Sequence, residues 1–478
     1  MGNATALFYL VFLAWILLLH SPLWLRLSPC EASVSRGNLT AEAIETLQSY
    51  LRIDTAQPQP QYRKAVRFIK QACKRAGLEG FHQFSFQRGR LGAVCSVQGR
   101  EPHLGAVVLN SHIDVVPAES SAWRLAPPFS AAIVDGNVVA RGSQDMKTQG
   151  VQYLEALRRL RAQAGDKWPM RRTVHVLFVP DEEVGGRTGM ASLVNSSLWR
   201  DTLRPAVLID ECLPETRLGV YKVCYGERQP WWMTIRTSHH TAHGGTLPAD
   251  TAIQRLFALL DNVLAYREQQ RLAVESQRKA LGEVLGVNVV HWASSGNGNA
   301  TNVIPSDAEI RLDMRVPPHM SEPEVLALLE EWTRGSCNWH SHTGELLCAN
   351  ATYRIQFIDR VIAPYREVVD EAESMLYRAI AIAGRARNIS LEPFVFPMST
   401  DSRYVRQAGV PAYGIMALDG VLQGAQLHQP DESVPLTAFE RGISFYMELV
   451  RQLAEEAHWE ATADVANVTA RRHTSDEL

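Results

Sequence analysis

Three apolar segments of the sequence each lead into side chains that can bind a metal ion. In "LNSHIDVVP", His112 and Asp114 follow directly after an apolar run. The segment "TVHVLFVP" leads into Glu182 and Glu183, and the segment "AVLID" is followed by Glu211. An imidazole and several carboxylates are costly to bury unless they are hydrogen-bonded or bind a cation. These residue types therefore indicate a metal site at the ends of the segments.

A fourth segment, "VVARGSQDMK", places Asp145 shortly before a helical pattern that begins near Val151. Sites in open α/β sheets form outside the carboxyl ends of the strands, so we expect the four segments to converge. Converging carboxylates repel one another unless a cation lies between them. One segment alone is weak evidence, because "DEE" is commonly a solvated turn and a single histidine is commonly a core residue. Together they predict a catalytic site for zinc or a similar ion, with an open position for water.

The elements that must position these residues alternate along the first half of the chain. Apolar residues at helical spacing run from Ile44 to Leu51 and from Val151 to Leu160, and the apolar segments between such helices are typical of buried strands. This alternation predicts an α/β fold with a mostly parallel sheet. The C-terminal part has the same kind of pattern, with a long predicted helix from Phe439 to Leu453.

The middle of the chain has a different order of elements. From Trp231 to Ile358 the pattern is strand, helix, strand, strand, helix, strand, which is the βαββαβ order of ferredoxin-like domains. A length of 478 residues also favours two domains. We predict a catalytic domain of residues 33–226 and 360–457, with a ferredoxin-like lid and dimerisation domain of residues 227–359 inserted between its two parts.

Composition gives no reason to expect a polyanionic partner. Hydrophobic residues make up 46% of the sequence, charged residues 21%, and the formal net charge is −3. These values are ordinary for a globular protein, so no nucleic-acid partner is expected.

The two ends of the chain indicate its compartment. Ala6 to Leu19 form an apolar run that is shorter than a membrane span and has the length of a signal-peptide core. Small residues at Cys30–Ala32 offer a cleavage site, but the first residues lack Lys and Arg, so residues 1–32 are either a signal peptide or a signal anchor. Contact with a membrane is expected only if this segment is retained. Residues 458–478 form a tail that ends in "SDEL", similar to the KDEL-type retrieval signal.

Cysteines and sequons agree with entry into the secretory pathway, and with the retrieval signal they predict the lumen of the endoplasmic reticulum. Six of the seven cysteines fall as near neighbours, but six cysteines allow fifteen connectivities. The neighbours are Cys73 and Cys95, Cys212 and Cys224, and Cys337 and Cys348. The N-x-S/T sequons of the predicted glycoprotein begin at Asn3, Asn38, Asn195, Asn299, Asn350, Asn388 and Asn467.

Seven motifs resemble, in order, those of the dinuclear-zinc aminoacylase and carboxypeptidase family of metallohydrolases. They are "LNSHIDVVP", "ARGSQDMK", "FVPDEEVGG", "LIDE", "NVIP", "TDSRY" and "LHQPDE". The resemblance extends from about Gln48 to about Leu453 and so covers most of the chain. It implies zinc-dependent hydrolysis of N-acyl-L-amino acids to a carboxylate and a free L-amino acid.

The resemblance also implies two zinc ions in each subunit. His112, Asp145 and Glu211 would bind one ion. Asp145, Glu183 and His428 would bind the other, so that Asp145 bridges the pair. Two cations lower the pKa of a water molecule that they share, which suits hydrolysis of an amide.

Two further residues of the same loops receive roles from the resemblance. Glu182 would be the general base that takes a proton from water and delivers it to the leaving nitrogen. Asp114 would hydrogen-bond His112 and fix the tautomer of its ring.

The lid would complete the site. The resemblance implies that His243, in "TAHGG", stabilises the oxyanion from the partner subunit, so that the active unit is a homodimer. Asn302 and Arg315 would bind the substrate carboxylate, since Arg suits a planar carboxylate, and Arg403 would contribute. The sequence departs from the family pattern around His243 and at Met398–Thr400, near the expected side-chain pocket. These departures leave the preferred substrate open.

Two other functions fit the same scaffold. The first is a metallo-dipeptidase or carboxypeptidase of the secretory pathway, which activity on unblocked dipeptides instead of N-acetyl-methionine would distinguish. The second is a non-catalytic relative that keeps the fold as a binding module. The presence of Glu182 and of every implied metal ligand argues against that second alternative.

Overall fold

In the computed structural model, the chain divides into two compact units, Met1–Glu42 and Ala43–Leu478, and the architecture below concerns the second. The predicted leader of residues 1–32 and the predicted tail of residues 458–478 lie outside the described residues. The structure describes residues 36–165, 168–295, 300–360, 366–421 and 426–456.

The helices and strands of the described residues follow the predicted alternation. The α-helices are α1 (Arg36–Leu51), α2 (Tyr62–Arg75), α3 (Lys147–Ala164), α4 (Met190–Val194), α5 (Ala252–Glu275), α6 (Glu322–Thr333), α7 (Met375–Ala386), α8 (Ser402–Gln407) and α9 (Leu436–Arg451). The β-strands are β1 (Gly80–Gln87), β2 (Arg90–Val97), β3 (Ala106–His112), β4 (Ala132–Val134), β5 (Asn137–Val139), β6 (Val174–Val179), β7 (Pro205–Asp210), β8 (Val220–Glu227), β9 (Gln229–Ser238), β10 (Ala242–His243), β11 (Gly286–Ser294), β12 (Val303–Ile304), β13 (Asp307–Val316), β14 (Cys337–His340), β15 (Glu345–Cys348), β16 (Tyr353–Arg360), β17 (Ser390–Phe396), β18 (Ala412–Ile415) and β19 (Ser433–Pro435).

The catalytic domain is built on a large sheet with the strand order β1-β2-β6-β3-β7-β18-β8-β17. Its centre, from β6 to β18, is parallel, and β1 and β2 are antiparallel additions at one side. Strands β3 and β6 are buried along their whole length, as expected for strands covered by helices on both faces. The predicted α/β class with a mostly parallel sheet is confirmed.

Two hydrophobic cores lie on opposite faces of this sheet. Val107 and Leu109 of β3 belong to the core that contains helices α3 and α9, whereas Val108 belongs to the core that contains α4. This alternation follows from the two-residue period of a strand. A strand held from both faces positions the residue at its end rigidly.

The inserted domain contains the predicted βαββαβ elements within an antiparallel sheet with the order β11-β13-β9-β16-β15-β14. Helices α5 and α6 share one core with this sheet. The hairpin of β14 and β15 extends the four predicted strands and is closed by a disulfide between Cys337 and Cys348, which lie directly opposite each other. The exact domain boundaries stay predictions.

The other two pairs of neighbouring cysteines also form disulfides. Cys73 of α2 is bonded to Cys95 of β2, and Cys212 is bonded to Cys224 of β8. Each bond therefore joins a strand of the large sheet to a neighbouring segment. Among the described residues, no helix combines the length and the apolar character needed to cross a membrane.

Candidate metal and catalytic site

The strand register explains why the predicted ligands meet. His112 is the last residue of β3 and lies beside Val179, the last residue of the parallel strand β6. Glu182 and Glu183 follow β6, and Glu211 follows β7, which is parallel to β3 on its other side. Three carboxyl ends therefore open at the same edge of the sheet, as the sequence predicted.

Asp145 lies between two histidines. Its Oδ1 is 2.8 Å from Nε2 of His112, and its Oδ2 is 3.2 Å from Nε2 of His428. The same nitrogen of His428 is 3.1 Å from Oε2 of Glu183. One carboxylate that faces a different imidazole with each oxygen has the arrangement required of a bridging ligand.

The donor atoms are close enough to share cations. One atom from each of His112, Glu182 and Glu211 falls within 4.8 Å of the others, and so does one atom from each of His112, Asp145 and Glu183. Nε2 of His112 is 3.9 Å from Oε1 of Glu211. Imidazole nitrogens and carboxylate oxygens without thiolates form a donor set that fits catalytic zinc. The residues present therefore fit a metal site, and Glu182 belongs to one of the two groups of donors. The division of the ligands between two zinc ions stays a prediction.

The electrostatics of the site show how poorly the carboxylates are compensated by protein groups alone. Burial raises the pKa of both Glu182 and Glu211 well above the usual range. Burial and the Asp145 carboxylate raise the pKa of Glu183 to about 7. The charged forms of carboxylates that are buried side by side are disfavoured unless a cation lies between them. A general base with a raised pKa also suits proton transfer near neutral pH.

Burial lowers the pKa of both histidines, but the carboxylates beside them raise it by more. Burial of His112 disfavours its charged form, but the hydrogen bond to Asp145 and the nearby Glu211 raise its pKa well above the usual value. Hydrogen bonds to Asp145 and Glu183 raise the pKa of His428 to about 10. Both shifts have the same cause, which is the carboxylates that face the two rings.

The predicted hydrogen bond between Asp114 and His112 is present, and it uses the main chain of Asp114. Nδ1 of His112 donates to the main-chain oxygen of Asp114 at 2.8 Å. A carbonyl only accepts, so the proton is fixed on Nδ1 and Nε2 faces the ligands, as the tautomer prediction requires. The Asp114 carboxylate accepts from Nε2 of Gln57 at 2.7 Å and from the main-chain N of Glu182 at 3.2 Å. Asp114 therefore positions the segment that carries the base.

Glu432 is a functional residue that the sequence analysis missed. It is fully buried, and its Oε1 accepts from the main-chain N of Gln144 at 2.6 Å and of Asp145 at 3.2 Å. Its Oε2 accepts from Nη1 of Arg141 at 2.7 Å and from the main-chain N of Gly142 at 3.1 Å. Glu432 thus ties the Asp145 segment to the segment of His428, which lies in the same "LHQPDE" motif. The only signal in the sequence was an acidic residue at the end of that motif.

Arg403 contacts the turn that follows Glu182, the proposed general base. It is buried, its Nη2 donates to the main-chain oxygen of Gly185 at 2.9 Å, and its guanidinium lies 4.6 Å from the ring centroid of Tyr404. These contacts hold the turn that follows Glu182 and Glu183. The predicted contribution of Arg403 to substrate binding stays a prediction.

The structure brings His243 and Asn302 together on the lid, apart from the metal ligands. His243 of β10 pairs with Val303 of β12, and the main-chain N of Gly244 donates to the oxygen of Asn302 at 2.6 Å. A Cβ at Gly244 would lie 3.2 Å from the main chain of Asn302, so a glycine suits this close approach. His243 and Asn302 are exposed, and among the described residues neither forms a hydrogen bond or an ion pair with the metal ligands.

Arg315 occupies a different part of the lid. It lies on β13, and its Nε is 2.8 Å from Oδ1 of Asp313. Its guanidinium also lies 5.9 Å from the ring centroid of Trp232 on the neighbouring strand β9. A carboxylate ligand would have to share this guanidinium with Asp313, and the predicted role stays a prediction.

Comparison with known proteins agrees with the geometry. Residues 108–452 match the model of the peptidase family M20/M25/M40. Aminoacylase-1 from Homo sapiens is 32% identical over 414 residues, which cover 86% of this chain and 95% of that protein.

Two solved structures share the fold at lower identity. An M20 family metallo-carboxypeptidase from Sulfolobus solfataricus matches with a TM-score of 0.58 and 17% identity, over 86% of this chain and 99% of that chain. A dinuclear metal-binding M20 peptidase from Bacillus subtilis matches with a TM-score of 0.56 and 13% identity, over 87% of this chain and 99% of that chain. By its sequence match and its cluster of histidines and carboxylates, the chain belongs to the M20/M25/M40 peptidase family, as an aminoacylase-1-like, metal-dependent amidohydrolase.

Proposed function

We propose that the protein hydrolyses N-acyl-L-amino acids and that it does so with two zinc ions in each subunit. The observation that carries this proposal is the position of Asp145 between His112 and His428, with Glu183 and Glu211 on either side. When bound, two zinc ions supply Lewis acidity that lowers the pKa of water and polarises an amide carbonyl.

The residues of the chain then carry the proton. Glu182 is half-buried beside the ligands, and its main-chain N donates to the Asp114 carboxylate at 3.2 Å. In its ionised form, Glu182 accepts a proton from the attacking water and donates it to the leaving amide nitrogen. Arg403 and Asp114 keep the turn that carries Glu182 in place from its two sides.

The substrate class rests on the similarity to aminoacylase-1 over most of both chains. A free carboxylate at one end of the substrate would bind to Arg315 and Asn302 of the lid, and the acyl amide would lie over the metal ligands. The structural likeness to the metallo-carboxypeptidase from Sulfolobus solfataricus supports one alternative, a metallo-carboxypeptidase, because a peptide presents the same carboxylate and amide. Comparison of N-acetyl-methionine with unblocked dipeptides separates the two.

We further propose a homodimer in which His243 completes the site of the partner subunit. Strand β11 is an edge of the lid sheet, and its Val290 and Trp292 are 62% and 65% exposed. Helix α5 adds the exposed Phe257 and Leu264. An unpaired edge strand beside exposed apolar side chains is suited to pairing with a second copy of itself.

The proposed location is the lumen of the endoplasmic reticulum. Three disulfides support an oxidising compartment, since such bonds are rare in the cytosol. The leader-like N-terminus, the sequons and the terminal "SDEL" support the same proposal. A microscopy assay with the intact chain and a chain that lacks the last four residues tests it: lumenal retention of the first and secretion of the second are expected.

The function is tested with purified protein and a panel of N-acyl-L-amino acids. Zinc-loaded protein should release free amino acid from N-acetyl-methionine faster than from any unblocked dipeptide. Faster release from the dipeptides would support the carboxypeptidase alternative instead. If neither the N-acyl-amino acids nor the dipeptides release free amino acid, the remaining alternative is a non-catalytic binding module.

A further inference from the structure

Three sequon asparagines have described side chains, and all three are exposed: Asn195, Asn350 and Asn388. They differ in what the side-chain amide does. Nδ2 of Asn195 donates to the main-chain oxygen of Ala191 at 2.8 Å, so this amide already serves the end of a helix. Within the described parts of the chain, the amides of Asn350 and Asn388 make no hydrogen bond.

Asn350 and Asn388 also share a backbone conformation. Their φ angles are +55° and +56°, the left-handed region in which Asn is enriched among residues other than Gly. Each lies in a turn between elements, Asn350 between β15 and β16 and Asn388 between α7 and β17. A bulky group on either side chain therefore extends into solvent without disturbing a core.

Both turns lie beside the last strands of the two large sheets. Strand β14, paired with β15, is one edge of the lid sheet, and β17 is one edge of the catalytic sheet. Ser390, the hydroxyl residue of the Asn388 sequon, is the first residue of β17. Edge strands expose unpaired N–H and C=O groups that can pair with other chains, and proteins usually protect them.

We propose that Asn350 and Asn388 carry N-linked oligosaccharides that cap these two sheet edges. The proposal rests on the proposed lumenal location. In the transfer, Nδ2 of each asparagine forms a bond to C1 of the first sugar and loses one proton. The bond between C1 and the pyrophosphate of a lipid-linked oligosaccharide donor breaks, and the lipid pyrophosphate leaves.

The opposite edge of the lid sheet stays free under this proposal. Strands β15 and β11 are four strand spacings apart, which is about 19 Å. An oligosaccharide on Asn350 therefore leaves the apolar β11 edge open to a second copy. A sheet with one capped edge and one open edge forms a closed dimer, whereas two open edges permit chains of subunits.

Occupancy is tested on a full chain whose residues 1–32 are replaced by a strong secretion leader, so that entry into the lumen does not depend on the native leader. Enzymatic deglycosylation in heavy-oxygen water followed by peptide mass mapping should label both Asn350 and Asn388. Thr352→Ala and Ser390→Ala should each lose one oligosaccharide, whereas the matched Thr352→Ser and Ser390→Thr, which keep the sequons, should not.

An unlabelled Asn350 or Asn388 in a chain that is glycosylated elsewhere would overturn the assignment. The capping role is tested by light scattering of the Thr352→Ala/Ser390→Ala double variant, which should show species larger than those of the parent at an unchanged melting temperature. Equal masses for variant and parent would overturn that role. Label at both residues with the secretion leader, but none with the native leader, would support the two sites and reject the lumenal location alone.

Discussion

The cluster of metal-ligand candidates around Asp145 and the lid turn of His243 and Asn302 hold their side chains in two different ways. His112 and Asp145 are buried, and each contacts other residues of the cluster within the same chain. His243 and Asn302 are exposed, and the contacts given for their turn within the described residues lie in the lid. The ligands of the cluster therefore meet within one chain, whereas the proposed role of His243 requires a partner subunit.

This difference has an energetic basis. Buried carboxylates and imidazoles need hydrogen-bond partners where they lie, so Gln57 donates to Asp114 and the main chain of Asp114 accepts from His112. An exposed histidine on a two-residue strand carries no such penalty and needs no local partner. The cluster thus depends on the stability of the catalytic domain, and under the proposed dimer the exposed lid histidine depends on the partner subunit.

The largest expected effect is that of Glu182→Gln. The amide is nearly the same size but cannot accept a proton at neutral pH, so turnover should fall at the upper end of about 10²–10⁴-fold, the usual contribution of a general base. Zinc content should stay that of the parent, whereas Glu183→Gln should bind less zinc. If Glu182→Gln loses zinc and Glu183→Gln retains it, the two roles are exchanged.

Next in size is the effect of His243→Ala, which should lower turnover by about 10²–10³-fold, as loss of an oxyanion donor does. Co-expression with Glu182→Gln sharpens the comparison, because a mixed dimer holds one site with both residues intact. That dimer should regain up to about half of the parent activity. A confirmed mixed dimer that stays inactive would contradict the assignment of His243 to the partner's site.

A smaller effect is expected from Glu432→Gln. The amide keeps one acceptor but places a donor against the main-chain N–H groups of Gln144 or Gly142, so the Asp145 segment should loosen. Zinc affinity should fall by about 10–100-fold, as for other residues that position metal ligands. Zinc titration measures this, with Glu440→Gln as the control, since Glu440 pairs with Arg159 away from the cluster. Equal zinc affinities in the two variants would show that Glu432 does not position the metal ligands.

The smallest effect concerns the pH dependence of the metal-free protein. The pKa of Glu183 is raised to about 7 and that of His428 to about 10, so both groups bind protons more tightly in the folded state. Stability should therefore fall as pH rises, from about 4.5 to 7 through Glu183 and from about 6.5 to 10 through His428. Melting curves of chelated protein should show this decline. A melting temperature that rises over the same range would contradict it.

The sequence predicted the cluster because its ligands follow buried parallel strands, and strand register alone brings such residues to one edge. His112, Glu182 and Glu211 could be located in this way, and the βαββαβ order located the lid. The support of the cluster was harder to predict. Glu432 acts through main-chain groups of residues 142–145, and the predicted hydrogen bond of His112 to Asp114 uses the main-chain oxygen of that residue. These hydrogen bonds to main-chain groups depend on the path of the loops, and residue types alone do not predict that path.

The central claim is that the buried cluster is a two-zinc site that hydrolyses N-acyl-L-amino acids. The most direct test is to remove metal with a chelator, titrate zinc back, and follow bound zinc and release of methionine from N-acetyl-methionine in the same samples. The account predicts no activity without metal and recovery that is complete at two zinc ions per chain. Full activity in metal-free protein, or complete recovery without zinc bound at the cluster, would contradict it.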